Sequence, residues 1–119
     1  MPEKDSKYDL EERTYKFARG CRDFCRRIPA TTANREYSGQ LIRSSGSTAS
    51  NYIEANESLS RKDYSHRVKI CRKEVKESRL WLRLIDCGDK DYLESETERL
   101  KNEATELMRI FGSVLEKCN

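Results

Sequence analysis

The chain has little that breaks or bends a backbone: 2 prolines and 5 glycines in 119 residues. A sandwich or barrel of many short strands needs more turn chemistry than that. Histidine occurs once, at His66, and tryptophan once, at Trp81. A single histidine and 5 cysteines without a CxxC pair give no basis for a structural zinc site. No apolar run approaches the roughly 20 residues of a membrane span, so no membrane association is expected. The opening Met1–Lys7 is polar and charged. It has no apolar signal region, which points to the cytoplasm. In that compartment, and with an odd count, the cysteines are expected to be reduced, as small buried or half-buried thiols.

What the chain does have is charge. Charged residues make up 38% and the apolar set 35%, against about 25% charged in ordinary usage. Much of every element must therefore face water. The length suits a single domain, residues 1–119. The net charge of +3 hides an uneven distribution. Residues 13–27 hold six bases against Asp23, and residues 61–85 hold nine against Asp63, Glu74 and Glu77. Residues 86–119 hold nine acids against five bases. Two basic segments and an acidic one can pair within a monomer, pair between copies, or leave a basic surface for a polyanion.

The hydrophobic period is helical almost throughout. Leu10, Thr14, Phe17, Cys21, Phe24 and Ile28 follow the 4-3 spacing of an a/d seam, which Pro29 ends. Asn34 is the expected N-cap of a second helix, with the seam Leu41, Ser45, Thr48, Tyr52, Ala55 and Leu59. Its centre, Ser44–Ser50, is built of small residues with poor helix propensity. The seam continues through them, and small side chains let two helices approach closely, so a helix is predicted rather than a flexible linker. Ser60 and Asp63 are spaced like a capping box, and Gly88 suits a left-handed stop.

The third helix carries Tyr64, Val68, Cys71, Val75, Ser78, Leu82 and Ile85. Beside this seam runs a second stripe, Ile70, Glu74, Glu77, Trp81 and Leu84, which implies more than one partner face. Asp91 and Glu94 resemble another capping box, and Leu93, Thr97, Leu100, Ala104, Leu107, Phe111, Val114 and Cys118 form the fourth seam. The expected fold is all-α: an up-down-up-down antiparallel four-helix bundle. The predicted helices span about 9–28, 35–58, 61–87 and 91–117.

Three kinds of chemistry merit weighing. A di-metal carboxylate site needs Glu-x-x-His on two helices, and one histidine cannot supply it. Glu54, Glu74 and Glu77 could form an acid/base set. A polar network in the bundle core or between subunits, with Asn51 and with Arg43 as partner, is the simpler reading. Trp81 is read as packing between helices or subunits, in line with Ile70 and Leu84. No nucleophile–base pair, phosphate loop or nucleotide fingerprint occurs, so neither enzymatic activity nor a cofactor is expected. The third candidate is phosphate contact by basic helix faces. These comprise Arg13, Lys16, Arg19, Arg22, Arg26 and Arg27 on the first helix, and Lys69, Arg72, Lys73, Lys76, Arg79 and Arg83 on the third.

The run Gln40-Leu-Ile-Arg43, then Ser47, Asn51 and Glu54, resembles the central motif of the 23S ribosomal RNA intervening-sequence protein family, roughly Q-L-x-R-x-x-x-S-I-x-x-N-x-x-E-G/A. Thr48 replaces the usual Ile, and Ala55 stands where Gly is frequent. The run Lys73–Ile85, with Glu74, Glu77, Ser78, Trp81, Leu82, Arg83 and Leu84, is similar to the family's second block; Leu80 stands where Tyr is common. The resemblance implies a homopentamer of four-helix bundles around a channel. Gln40, Arg43, Asn51, Glu54, Glu74, Glu77 and Trp81 would then hold helices or subunits in register. The family is similar in fold to the accessory variability determinant of diversity-generating retroelements. That analogy implies RNA or DNA, and a reverse transcriptase or other protein, as partners. The rival expectation is a protein-binding scaffold without nucleic acid.

Overall fold

The computed structural model describes the backbone of residues 3–118 and the side chains of residues 9–118. The side chains of Met1–Lys7 lie outside that range. Four α-helices follow one another: α1 (Glu3–Cys25), α2 (Thr32–Asn56), α3 (Arg61–Leu84) and α4 (Asp91–Cys118). No strand occurs among the described residues. Each helix packs on two others, α1 and α3 both lying against α2 and α4. The contact of α2 with α3 is the most extensive and that of α1 with α4 the least. Partners run in opposite order along adjoining helices. Asn34 meets Asp86, Ser44 meets Ser78, and Asn51 meets Arg67.

The seams converge on one core. Leu10, Thr14, Phe17, Cys21 and Phe24 of α1 are buried, as are Val68, Cys71, Val75, Ser78 and Leu82 of α3 and Leu93 through Phe111 of the α4 seam. Burying several large apolar side chains from each helix stabilises the fold by about 1.5–3 kcal/mol per side chain. Tyr52 and Phe111 meet across the core with ring centroids 5.9 Å apart. All 5 cysteines are free, three of them buried and two half-buried. Burial pushes the thiols of Cys21 and Cys25 up and that of Cys71 up to about 12, which disfavours thiolate.

Helix ends depart from expectation for local reasons. α1 stops at Cys25, not Ile28. The residue before a proline avoids the helical region, and the last turn tightens, with Arg26 N–H on Asp23 O and Arg27 N–H on Phe24 O. Thr31, not Asn34, caps α2, its Oγ1 accepting from Asn34 N–H at 3.1 Å. α2 ends at Asn56, so Leu59 leaves the seam and stands 98% exposed. Ser60 caps α3 as its spacing suggested, accepting from Asp63 N–H at 3.1 Å. α3 ends at Leu84 with Ile85 extended, and Gly88 turns at φ 68° in the following loop. Asp91 is the first residue of α4 rather than its cap. It and Glu94 lie in the first turn, where carboxylates suit the positive helix end.

The small-residue centre of α2 is unbroken helix. Its hydroxyls are engaged: Ser44 Oγ lies 2.7 Å from Ser78 Oγ, and Thr48 Oγ1 donates to Ser44 O at 2.9 Å. The stretch therefore holds its shape against α3 despite weak propensity.

Candidate interaction surfaces

α3 turns its seam to the core and a strip of bases outward. With 3.6 residues per turn, Lys69, Arg72, Lys76, Arg79 and Arg83 share one side of the helix, with Lys73 at its margin. All six are exposed. Among the described residues none of the six forms an ion pair. The acids of α4 do not neutralise the strip. Glu96 pairs with Arg99, Glu98 with Lys101 at 2.7 Å, and Glu106 with Arg109 at 2.6 Å, all within α4.

α1 is different. Arg13 is half-buried and forks onto Glu103 of α4, Nη2 to Oε1 at 2.7 Å and Nε to Oε2 at 3.1 Å, the bidentate geometry in which guanidinium–carboxylate pairs are strongest. Arg22 and Arg26 share Asp23 Oδ1 at 2.9 and 3.7 Å. The Arg22 guanidinium holds the Asp23 carboxyl below the usual carboxylate range. Lys16 and Arg19 are exposed. Among the described residues, the candidate bases thus divide into a partly answered set on α1, where Arg13, Arg22 and Arg26 have carboxylate partners, and a strip on α3 with no ion pair.

The polar and aromatic candidates lie on a second surface, the outer edge where α2 meets α3. None is in the core. Arg43 and Glu54 are exposed; Gln40, Asn51, Glu74, Glu77 and Trp81 are half-buried. The expected pairing of Arg43 with a carboxylate is not formed: its Nη1 donates to Gln40 Oε1 at 2.7 Å, one helical turn back on α2. Asn51 bridges instead. Its Nδ2 donates to Ser47 O and Ser47 Oγ at 2.9 and 3.0 Å, and its Oδ1 accepts from Arg67 Nη1 at 2.9 Å. Trp81 stacks on Tyr37 with centroids 6.0 Å apart and planes at 24°. Its Nε1 is buried and has no hydrogen-bond partner among the described residues. Leu80 and Leu84 beside it are 42% and 44% exposed.

Arg67 and Tyr37 were not singled out by spacing. Tyr37 was legible in principle, since Asn34, Tyr37 and Leu41 extend the α2 seam backwards in the same 3-4 rhythm. Arg67 gives no signal, being one of many bases in its segment. Among the described residues no group of three His, Cys, Asp or Glu side chains could hold a metal ion. No described helix is long and apolar enough to cross a membrane.

The class defined is an all-α protein of four helices around one core, with its candidate functions on outer helix faces. The family model described as 23S rRNA-intervening sequence protein matches residues 6–113, and the chain belongs to that family. The fold is similar to that of a protein of unknown function from the S23 ribosomal protein family of Bacteroides thetaiotaomicron. The TM-score is 0.72 at 24% identity, over 89% of this chain and 97% of that one. No curated protein matches the chain.

Proposed function

We propose that this is a cytoplasmic, non-enzymatic bundle of up-down-up-down topology that assembles as a homopentamer and binds RNA or DNA. The opposite order of partners along α2 and α3, and the short loops, support the topology. The α2/α3 edge supports self-assembly: Leu80 and Leu84 leave exposed apolar surface beside the half-buried Trp81, and a facing subunit would cover it.

The observation that carries nucleic-acid binding is the α3 strip. Lys69, Arg72, Lys73, Lys76, Arg79 and Arg83 are exposed, and among the described residues no acid of α4 pairs with them: Glu96, Glu98 and Glu106 pair within α4 and Glu103 pairs with Arg13. Lys and Arg on one helix face meet successive phosphates without reading sequence. The rival reading, a scaffold whose basic helices are neutralised internally, has one specific support, the Arg13–Glu103 fork. It holds for one residue of α1 and for none of the α3 strip.

The test is RNA binding at 50 and 200 mM salt. Releasing counterions from about six phosphates predicts a loss of affinity on the order of a hundredfold or more between these conditions. Lys69→Gln with Arg72→Gln and Lys76→Gln should flatten that salt dependence and leave the melting temperature unchanged. Absence of binding at 50 mM salt, or binding indifferent to salt, refutes the reading.

A further inference from the structure

At its N-terminal end the α3 strip runs into a cleft of about 510 Å³ between the first turns of α3 and the last turn of α4. Arg61, Lys62, Ser65, His66, Lys69 and Cys118 line it. Three of the six are permanent cations, two more offer a hydroxyl and an imidazole as hydrogen-bond partners, and none is a carboxylate. Arg61, Ser65 and Lys69 are spaced i, i+4, i+8, so they share a side of α3 with Arg72 and Lys76. The cleft is thus the head of the basic strip, not a separate patch.

Charge density distinguishes the two parts. Along α3, bases succeed one another roughly one per turn, about 5.4 Å apart, which suits phosphodiesters bearing one negative charge each. In the cleft three cations and two further polar groups face one cavity. A phosphate monoester at a strand end carries about −1.5 to −2 charge near neutral pH, with three acceptor oxygens. It makes fuller use of such a cluster than a diester does.

We infer that the Arg61/Lys62/His66/Lys69 cleft seats the terminal phosphate monoester of a nucleic-acid strand whose backbone follows the α3 strip. The inference rests on the phosphate-binding reading of that strip and adds an end preference to it. The cleft fixes where the strand stops, and its cations cease to act as a uniform continuation of the strip.

The probe is a ten-nucleotide oligouridine RNA with a 5′-phosphate, a 3′-phosphate, or hydroxyls at both ends, titrated at 50 mM salt. At least threefold tighter binding of one phosphorylated form over the hydroxyl form is expected, and the favoured end gives the strand polarity. In Arg61→Ala/Lys62→Ala that ratio should fall to about one. Both side chains are exposed, and an unchanged melting curve confirms that the variant folds. Equal binding of all three RNAs overturns the end preference while leaving the α3 strip intact. A preference that survives the double substitution also overturns it, because the monoester must then sit elsewhere. Failure of all three RNAs to bind overturns the reading of the strip and this inference with it.

Discussion

Asn34 is 2% exposed, and every polar group of its side chain is used. Nδ2 donates to Pro29 O and to Asp86 O, both at 2.9 Å, and Oδ1 accepts from Asp86 N–H at 3.0 Å. One side chain therefore ties the α1–α2 loop to the α3–α4 loop. Gly88 shows how closely those loops approach, since a Cβ there would lie 3.2 Å from Pro29 Cγ at a φ that side chains rarely adopt. Asn34→Ala removes three hydrogen bonds and strands backbone groups away from water, each costing about 1–3 kcal/mol. Non-additivity and partial hydration reduce the sum to a loss of about 3 kcal/mol, read as a lower denaturant midpoint at unchanged slope. Asn34→Asp keeps the volume and one acceptor but replaces the Nδ2 amide, which makes both donations, with a single oxygen facing two carbonyls, so it should destabilise at least as much. An unchanged midpoint for either variant contradicts the clamp. The sequence suggests Asn34 as a cap because asparagine is a good one. Thr31, three residues earlier, takes that role and frees Asn34 for a contact 52 residues away, which no local pattern encodes.

At the scale of elements, α2 carries the contrast between propensity and packing. Its small residues are of two kinds. Ser44 is 4% exposed and touches Ser78 across the α2–α3 contact; Gly46 has nothing within 4 Å of where a Cβ would be. Ser44→Leu must push α3 away and should cost about 1–3 kcal/mol or more by overpacking. Ser44→Ala should cost little, because Ser78 Oγ retains Glu74 O at 3.0 Å. Gly46→Ala should stabilise the helix by about 0.5–1 kcal/mol, glycine being the poorer helix former. Thermal melts of the three variants check that order; equal melting of Ser44→Leu and wild type would mean that close approach is not what the small residues provide. The existence of all four helices was legible because the 4-3 rhythm runs across polar positions such as Thr14, Thr48, Ser78 and Thr97, all buried. Helix ends were less legible, because Pro29 acts on the residues before it and the small α3–α4 loop is shaped by Asn34 from another element.

For the whole molecule the question is where charge and apolar surface remain after the chain has folded on itself. The basic segments were legible from composition; the pairing of α4 acids within α4 was not, since i,i+3 partners and cross-helix partners are equally available in sequence. The motif residues were legible as a set, but a core network and an outer edge share the same helical spacing, and only packing places them on the α2/α3 edge. That edge has the makings of a contact between copies. Trp81 lies toward one end of it, where the start of α2 meets the end of α3, half-buried on Tyr37, with an indole N–H that is buried and has no partner among the described residues. A donor in that state costs about 1–3 kcal/mol within the chain itself, and it is the exposed apolar surface of Leu80 and Leu84 beside it that a neighbouring chain would cover. A heterologous contact of this kind closes into a ring if its rotation allows. Sedimentation of the wild-type protein at micromolar concentration should give about five times the 14.0 kDa of one chain. Trp81→Glu puts a charge into the contact, where desolvation opposes association, and should shift the mass toward a single chain. Circular dichroism should register little change in helix content, because the core seam of α3 is untouched. A wild-type mass of one chain contradicts assembly. A parallel loss of helix and mass in Trp81→Glu would place the tryptophan in the fold of the monomer rather than between copies.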